Sequence, residues 1–214
     1  MRSKIIPFAV TLLLGCSPAF AQDAAPAADS AAPALPAAPT NPVMTGPRLL
    51  IATSMGDITL QLDAMRAPKS VANIMRYVKE KHYDGTVVYR VAKGFVLEMG
   101  SWDANVKGRA GHPGPVPLEA DNGLSNLRGA VSLARGDDPT SAQADFFLNL
   151  DNNSALDHKQ TDTANTTGYA VFGQVVSGME VADAISLVPV GDHGPMPGEA
   201  PVTPILIKKI SVVP

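Results

Sequence analysis

The sequence predicts a mainly β domain in which about eight short strands close into a barrel and two helices cap its ends. Three observations carry this prediction. Short runs of β-branched and aromatic residues recur between Gly- and Pro-rich loops over residues 47–214. Only two segments space their apolar residues as a helix does, which argues against a parallel sheet with helices between its strands. Closure into a barrel removes the exposed edges of an open sheet.

The predicted elements begin with a hairpin and a helix. Residues 49–53 and 58–62 indicate two strands around a Gly-containing turn, and the second strand alternates apolar with polar side chains. A helix begins at Pro68, since proline is favoured in a first helical turn, and a second helix covers residues 179–187. We expect the remaining strands near residues 87–91, 95–99, 130–134, 146–150, 171–175 and 205–212.

The chain starts with a segment typical of an export signal. Arg2 and Lys4 precede an apolar stretch over residues 5–14, and a small-x-small cleavage site occupies residues 19–21. The apolar stretch is about half as long as the roughly 20 residues that a membrane-spanning helix needs. We therefore interpret residues 1–21 as a signal peptide and expect no membrane span.

The single cysteine, Cys16, leaves two interpretations of this leader open. If cleavage follows Ala21, the mature protein has no thiol, which excludes disulfides, thiolate metal sites and cysteine nucleophiles. The residues before Cys16 also resemble a bacterial lipoprotein box, in which Cys16 would be lipidated and become the mature N-terminus. The bulk of Leu14 and the quality of the Ala-Phe-Ala site favour soluble export over a lipid anchor at Cys16.

Residues 22–46 differ in composition from the rest of the chain. They contain nine Ala, five Pro and only two charged residues, without apolar periodicity. Repeated proline blocks a helix, and such a segment buries too little surface to offset the entropy of ordering it. We expect a disordered tether over 22–46 and a folded domain over 47–214.

Charge and motif content exclude several classes of function. A formal net charge of −3 provides no electrostatic footprint for nucleic acid. The four histidines show no metal-ligand spacing, and the sequence holds no nucleophile elbow, phosphate-cradling glycine loop or dinucleotide fingerprint. We expect no nucleic-acid partner, no metal, no cofactor and a monomeric chain.

Several separated motifs follow one another in a characteristic order. They are the arginine-containing run 87–100, the segment Glu119–Leu124, Arg128-Gly129, the run 144–149 and the run 169–173. In this order they resemble the cyclophilin-type peptidyl-prolyl cis–trans isomerases, most of all the periplasmic bacterial branch, from about residue 49 to 210. The resemblance implies an eight-stranded antiparallel barrel capped by two helices. It also implies a periplasmic location and partners that are proline-containing peptides and unfolded exported proteins.

The implied reaction is rotation about the peptide bond that precedes proline. Its barrier is about 18–20 kcal/mol, and no bond is made or broken. A catalyst therefore needs only to bind the twisted amide better than either planar form. The prolyl nitrogen regains its lone pair in the twisted state, and a guanidinium beside it stabilises that state. By resemblance, Arg90 is the catalytic arginine.

The resemblance also assigns a shallow apolar pocket for the proline ring. The matching pocket and rim positions are Phe95, Val96, Phe147, Leu156 and Tyr169. Arg135 matches a position that helps to hold the backbone of the substrate. On strand spacing alone, these apolar residues would equally be ordinary barrel core.

Three positions depart from the family pattern. Glu98 and Asp145 stand where the family has two glutamines beside the arginine, and Ala155 replaces a residue that is usually aromatic. A carboxylate orients a guanidinium strongly, but two acids would also hold it in a resting ion pair. Two functions follow: an isomerase that assists the folding of exported proteins, or a proline-segment binding module or chaperone with weak or no turnover.

Overall fold

The computed structural model describes residues 39–112, 114–159 and 167–214. In chain order the strands are β1 (Arg48–Thr53), β2 (Gly56–Leu62), β3 (Thr86–Ala92), β4 (Val96–Asp103), β5 (Ala130–Leu133), β6 (Phe146–Asn149), β7 (Val171–Ser177), β8 (Val190–Gly191), β9 (Ala200–Pro201) and β10 (Ile205–Val213). The helices are α1 (Pro68–Lys79) and α2 (Met179–Ile185), and a 3₁₀ turn covers Ser154–Leu156.

Eight of these strands form a closed antiparallel barrel in the order β1-β10-β3-β4-β6-β5-β7-β2. The predicted fold class is therefore confirmed. The pair β8-β9, which the sequence analysis did not predict, forms a separate two-stranded sheet. Each of its strands has two residues within a Gly- and Pro-rich segment, too few to show an alternating pattern.

A distant side chain caps the first helix. Pro68 occupies the first turn, and Ala67 makes no side-chain cap there. Instead, the carboxylate of Glu119 accepts the backbone N–H groups of Lys69 at 3.1 Å and Ser70 at 2.8 Å. A carboxylate at a helix N-terminus satisfies free donors and complements the helix dipole, so this contact ties α1 to the loop before β5.

Alternation along β3, β4 and β6 separates the barrel interior from an outer face. Val91, Leu97 and Phe146 belong to the main core. Their neighbours in sequence, Ala92, Val96 and Phe147, form a separate small cluster. Successive side chains of a strand point to opposite faces, so each strand contributes to both clusters.

Residues 39–46, the described part of the predicted tether, lie against the barrel. Asn41 exchanges two hydrogen bonds of 2.9 Å with the backbone N–H and C=O of Ser125. Met44 is only 4% exposed and belongs to a cluster with Leu124, Ala130 and Val171. The composition of 22–46 as a whole gave no indication that Asn41 and Met44 would contact the barrel.

The N-terminal predictions fall largely outside the described residues. The signal peptide 1–21, Cys16 and the remainder of the predicted tether all precede residue 39. Within the part of the chain that the structure describes, no helix combines the length and the apolar character needed to cross a bilayer.

Candidate active site

One row of paired residues crosses three strands on the outer face of the barrel. Arg90 on β3 lies opposite Glu98 on β4, and Glu98 lies opposite Phe147 on β6. Residues directly opposite in an antiparallel pair present their side chains on the same face. A cation, a carboxylate and an aromatic ring therefore lie side by side because of strand register alone.

The cluster on this face, named here the apolar slot, contains every apolar pocket residue that the sequence predicted. Its members are Phe95, Val96, Phe147, Leu156 and Tyr169, together with Ala92 and Ala134. Val96 is 1% exposed and Phe147 is 2% exposed, whereas Phe95, Leu156 and Tyr169 are half-buried. The rings of Phe147 and Tyr169 meet edge to face at 5.4 Å. These residues form a cluster apart from the barrel core, with a buried floor and partly exposed walls.

Three asparagine side chains form a hydrogen-bond network that holds the backbone of the apolar slot. Asn153 Nδ2 donates to the carbonyl of Phe95 at 3.0 Å, and Asn126 Nδ2 donates to the carbonyl of Leu156 at 3.1 Å. Asn149 Nδ2 donates to Asn126 Oδ1 at 3.3 Å, and Asn153 Nδ2 donates to Asn149 Oδ1 at 2.8 Å. A network of buried amides is rigid when its members are satisfied. The sequence analysis assigned no role to these residues, although Asn149 ends the quoted run 144–149 and Asn126 lies between the quoted segments 119–124 and 128–129.

The guanidinium of Arg90 bonds two carboxylates. Its Nη1 donates to Glu98 Oε1 at 3.0 Å, and its Nε donates to Glu199 Oε2 at 2.5 Å. A guanidinium has five N–H groups, so three remain without a partner among the described residues. Arg90 lines a surface cavity of about 410 Å³ that shares Ala134 and Tyr169 with the apolar slot. Free donors therefore lie next to the slot.

Glu199 is a site residue that the sequence analysis missed. It precedes β9 in a segment rich in Gly and Pro, and it lies 109 positions from Arg90. Its carbonyl accepts the backbone N–H of Val91 at 2.7 Å, which fixes it beside β3. A single acid in a segment without periodicity carried no sequence signal for this contact.

Asp145 is close to the site but does not bond Arg90. We expected two acids at the guanidinium with Asp145 as one of them. Two acids are present, but the second is Glu199, and Asp145 Oδ1 instead accepts the backbone N–H of Ser101 at 2.9 Å. The cause is local: a Cβ on Gly100 would lie 2.7 Å from Asp145 Oδ1, so only glycine lets the carboxylate approach this turn of β4.

Burial governs the charge of these groups. Loss of water raises the pKa of Glu98, and the opposing attraction of Arg90 offsets only part of that rise. Burial likewise raises the pKa of Asp145 against the hydrogen bonds from Ser101. Burial alone would lower the pKa of Arg90, but the two glutamates raise it, so the guanidinium stays charged.

Arg135 and Ala155 lie at the rim. Arg135 donates from Nε and Nη2 to the carbonyl of Gly168 at 3.1 Å each, and its Cζ lies 4.9 Å from the centre of the Tyr169 ring. Arg135 lines the same cavity as Arg90. Ala155 is exposed in the 3₁₀ turn next to Leu156, so no large side chain covers that edge of the slot.

The arrangement combines a charged donor with an adjacent apolar surface. It can place an apolar ring in the slot while a guanidinium donates to an atom beside that ring. Within residues 39–112, 114–159 and 167–214, no cluster of three or more histidine, cysteine or acidic side chains is arranged to hold a metal ion.

Comparisons with known sequences point to one family. The model of the family "Cyclophilin type peptidyl-prolyl cis-trans isomerase/CLD" matches residues 48–212. Peptidyl-prolyl cis-trans isomerase A of Dickeya dadantii (strain 3937) is 45% identical over 169 residues, which cover 79% of this chain and 86% of that protein. Peptidyl-prolyl cis-trans isomerase B of Escherichia coli (strain K12) is 36% identical over 160 residues, covering 75% and 96%.

Solved structures share the fold. A cyclophilin-type peptidyl-prolyl cis-trans isomerase of Cryptosporidium parvum, crystallised in the presence of the dipeptide Ala-Pro, has a TM-score of 0.65 at 21% identity, over 78% of this chain and 99% of that one. A cyclophilin from Hirschia baltica has a TM-score of 0.61 at 22% identity, over 78% and 73%. The fold, the family model and the bacterial relatives agree: the chain belongs to the cyclophilin-type peptidyl-prolyl cis–trans isomerases.

Proposed function

We propose that this chain accelerates rotation about X–Pro bonds in exported proteins and that Arg90 stabilises the twisted amide. Membership of the family makes the chain a peptidyl-prolyl isomerase. The mechanism and the clients are the proposal. One observation carries the mechanism: Arg90 lies at the apolar slot with three N–H groups that no described residue occupies.

In this mechanism the slot binds the proline ring. Phe147 and Val96 form the floor, and Phe95 and Leu156 form the walls. Rotation of the amide ends its resonance and returns a lone pair to the prolyl nitrogen. A free N–H of Arg90 donates to that lone pair, which exists only in the twisted state, so the contact lowers the barrier and not the energy of the bound peptide.

Arg135 and Tyr169 complete the rim in this proposal. Arg135 is held by the carbonyl of Gly168 and stacks on Tyr169, so its position is set before a peptide arrives. We assign to it the backbone of the substrate, since a fixed guanidinium meets a carbonyl at little further cost in entropy.

The test of the mechanism is isomerase turnover on a short proline peptide. Arg90→Ala should lower kcat/KM at least tenfold, and Arg90→Lys should also slow turnover because an ammonium lacks the planar fork. Arg48→Ala is the matched control, because Arg48 is an exposed arginine of β1 bonded to Gln61. The mechanism is wrong if Arg90→Ala turns over at the rate of the parent with an unchanged circular dichroism spectrum.

A specific observation favours a second candidate, a proline-segment binding module or chaperone with weak turnover. Both carboxylates bonded to Arg90 draw on the charge that the mechanism needs. A parent chain that binds a proline peptide but does not accelerate its isomerisation at micromolar protein would support this candidate over the first.

We further propose export to the periplasm, with a lipid anchor at Cys16 as the alternative. The support is the leader sequence. The mass of the mature N-terminus in a bacterial host distinguishes the two, because cleavage after Ala21 gives an unmodified chain that starts at Gln22. A lipidated Cys16 as the first residue would instead establish the anchor.

A further inference from the structure

The segment 196–201 runs alongside β3 and is anchored next to Arg90. The carbonyl of Glu199 accepts the N–H of Val91, the residue after Arg90, at 2.7 Å. The N–H of Glu199 in turn donates to the carbonyl of Met196 at 3.2 Å. Strand β9 begins at the next residue and pairs with β8. The backbone of Glu199 is therefore held on both sides, and its side chain is directed from a fixed point.

Two separate elements form ion pairs with the guanidinium of Arg90. Glu98 belongs to the wall of the barrel and takes Nη1, whereas Glu199 belongs to the outer segment and takes Nε. With only one carboxylate the planar group would still turn about that single bond. With two carboxylates on different nitrogen atoms, its plane and its rotation are both fixed.

These ion pairs are sheltered from water. The side chain of Arg90 is 18% exposed, that of Glu98 is 16% exposed and that of Glu199 is 35% exposed. Exposed ion pairs hold a side chain weakly because water competes for the same donors. Partial burial therefore strengthens both ion pairs of Arg90. Glu199 is the most exposed of the three side chains, so its replacement should leave the barrel core unchanged.

We propose that Glu199 is a positioning residue, which holds Arg90 so that the three remaining N–H groups meet the peptide in the cavity. The inference rests on the proposed role of Arg90 and adds a residue to it. Glu199 does not touch the substrate. It acts through the orientation of Arg90, and the carboxylate oxygen that accepts the Nε–H is the atom that matters.

Turnover of a proline peptide by three variants tests the role. Glu199→Ala removes the acceptor and should lower kcat/KM at least fivefold, with most of the loss in kcat. Glu199→Gln keeps an acceptor oxygen and should stay within twofold of the parent. Asp192→Ala is the matched control, because it removes an exposed acid of the same outer loop that does not bond Arg90. A rate for Glu199→Ala at or above that of the parent would overturn the proposal and identify Glu199 as a brake.

A second readout follows the arginine directly. In a ¹⁵N spectrum the Arg90 Nε–H signal, assigned from its loss in Arg90→Lys, should be protected from exchange in the parent and in Glu199→Gln. It should exchange rapidly in Glu199→Ala. Protection that survives in Glu199→Ala would show that Glu199 does not hold the group and would contradict the proposal, whatever the melting temperature of the variant.

The double variant Arg90→Ala/Glu199→Ala separates this inference from the proposed function. If Glu199 acts through Arg90, adding Glu199→Ala to Arg90→Ala should change kcat/KM by less than twofold. An undiminished fivefold loss in that background contradicts positioning while Arg90 stays catalytic. A normal rate for Arg90→Ala alone would defeat the mechanism itself, and the positioning role with it.

Discussion

Arg90 Nε donates to Glu199 Oε2 across 109 positions of sequence, and this bond joins the wall of the barrel to the segment that precedes β10. We expected Glu98 and Asp145 at this arginine, but Glu199 takes the second place. Asp145 is occupied by the backbone of Ser101, so the electrostatic balance at Arg90 is set by Glu98 and Glu199.

Replacing Glu98 and Asp145 by glutamine tests whether these acids orient Arg90 for catalysis or slow turnover by holding it in an ion pair. In Glu98→Gln the amide oxygen still accepts the Nη1–H, so we expect kcat/KM within threefold of the parent. Asp145→Gln should change it less, because Asp145 does not bond Arg90. Turnover of a proline peptide by both single variants and the double variant is the measurement. A tenfold rise in the double variant would instead support the binding module, whose turnover its acids restrain.

Acid should destabilise the protein through His82. Its Nε2 is buried without a hydrogen-bond partner among the described residues, and its ring packs 4.8 Å from that of Tyr77. The ionisable groups that act on it are Arg109, His112 and Glu80. Burial is the main cause that lowers the pKa of His82, followed by Arg109.

The sign of this effect follows from proton binding. The unfolded chain takes up the proton near the ordinary value of 6.5, before the folded protein does. The contribution of His82 to the free energy of unfolding therefore falls as pH drops below 6.5 and stops falling below the depressed pKa. Urea unfolding of His82→Phe, which keeps an aromatic ring there, should show a smaller loss between pH 7 and pH 5 than the parent. Equal losses in both proteins would contradict the assignment.

The asparagine network should govern both stability and peptide binding. Asn126→Ala removes the donor to the Leu156 carbonyl and leaves the buried Ser132 hydroxyl without its acceptor. We expect a loss of about 2 kcal/mol in the free energy of unfolding, from unsatisfied buried groups, and a raised KM for a proline peptide. Asn105→Ala serves as the control, because Asn105 is an exposed asparagine whose side chain makes no hydrogen bond within the described residues. A variant as stable as the parent, with an unchanged KM, would show that the slot does not depend on this network.

The strands could be predicted because their causes are local, whereas the slot residues could be assigned only through the resemblance to the family, since strand spacing alone fits barrel core equally well. Arg90 on β3 pairs with Glu98 on β4, and Val96 lies two residues before Glu98 on the same face. The run of β-branched residues in this part of the sequence indicates the strands that produce this pairing. The contact of Glu199 is not local. It depends on where a Gly- and Pro-rich segment returns to β3, and no pattern in that segment encodes its path.

Asp145 shows a second kind of limit. Its partner was missed because the turn of the backbone at Gly100, and not the side-chain pattern, decides which group it meets. The slot asparagines were missed for a related reason, since a buried amide and an exposed one look the same in sequence. The signal peptide and the role of Cys16 stay predictions.

The anchoring of Asn41 and Met44 matters for anyone who produces this domain. A recombinant fragment cut at residue 47, where composition alone would place the boundary, would lack the methionine that covers Leu124, Ala130 and Val171. It would also leave the amide and carbonyl of Ser125 to solvent, one position before the asparagine that supports the slot. A recombinant fragment should therefore begin before residue 39, so that Asn41 and Met44 keep their contacts with the barrel.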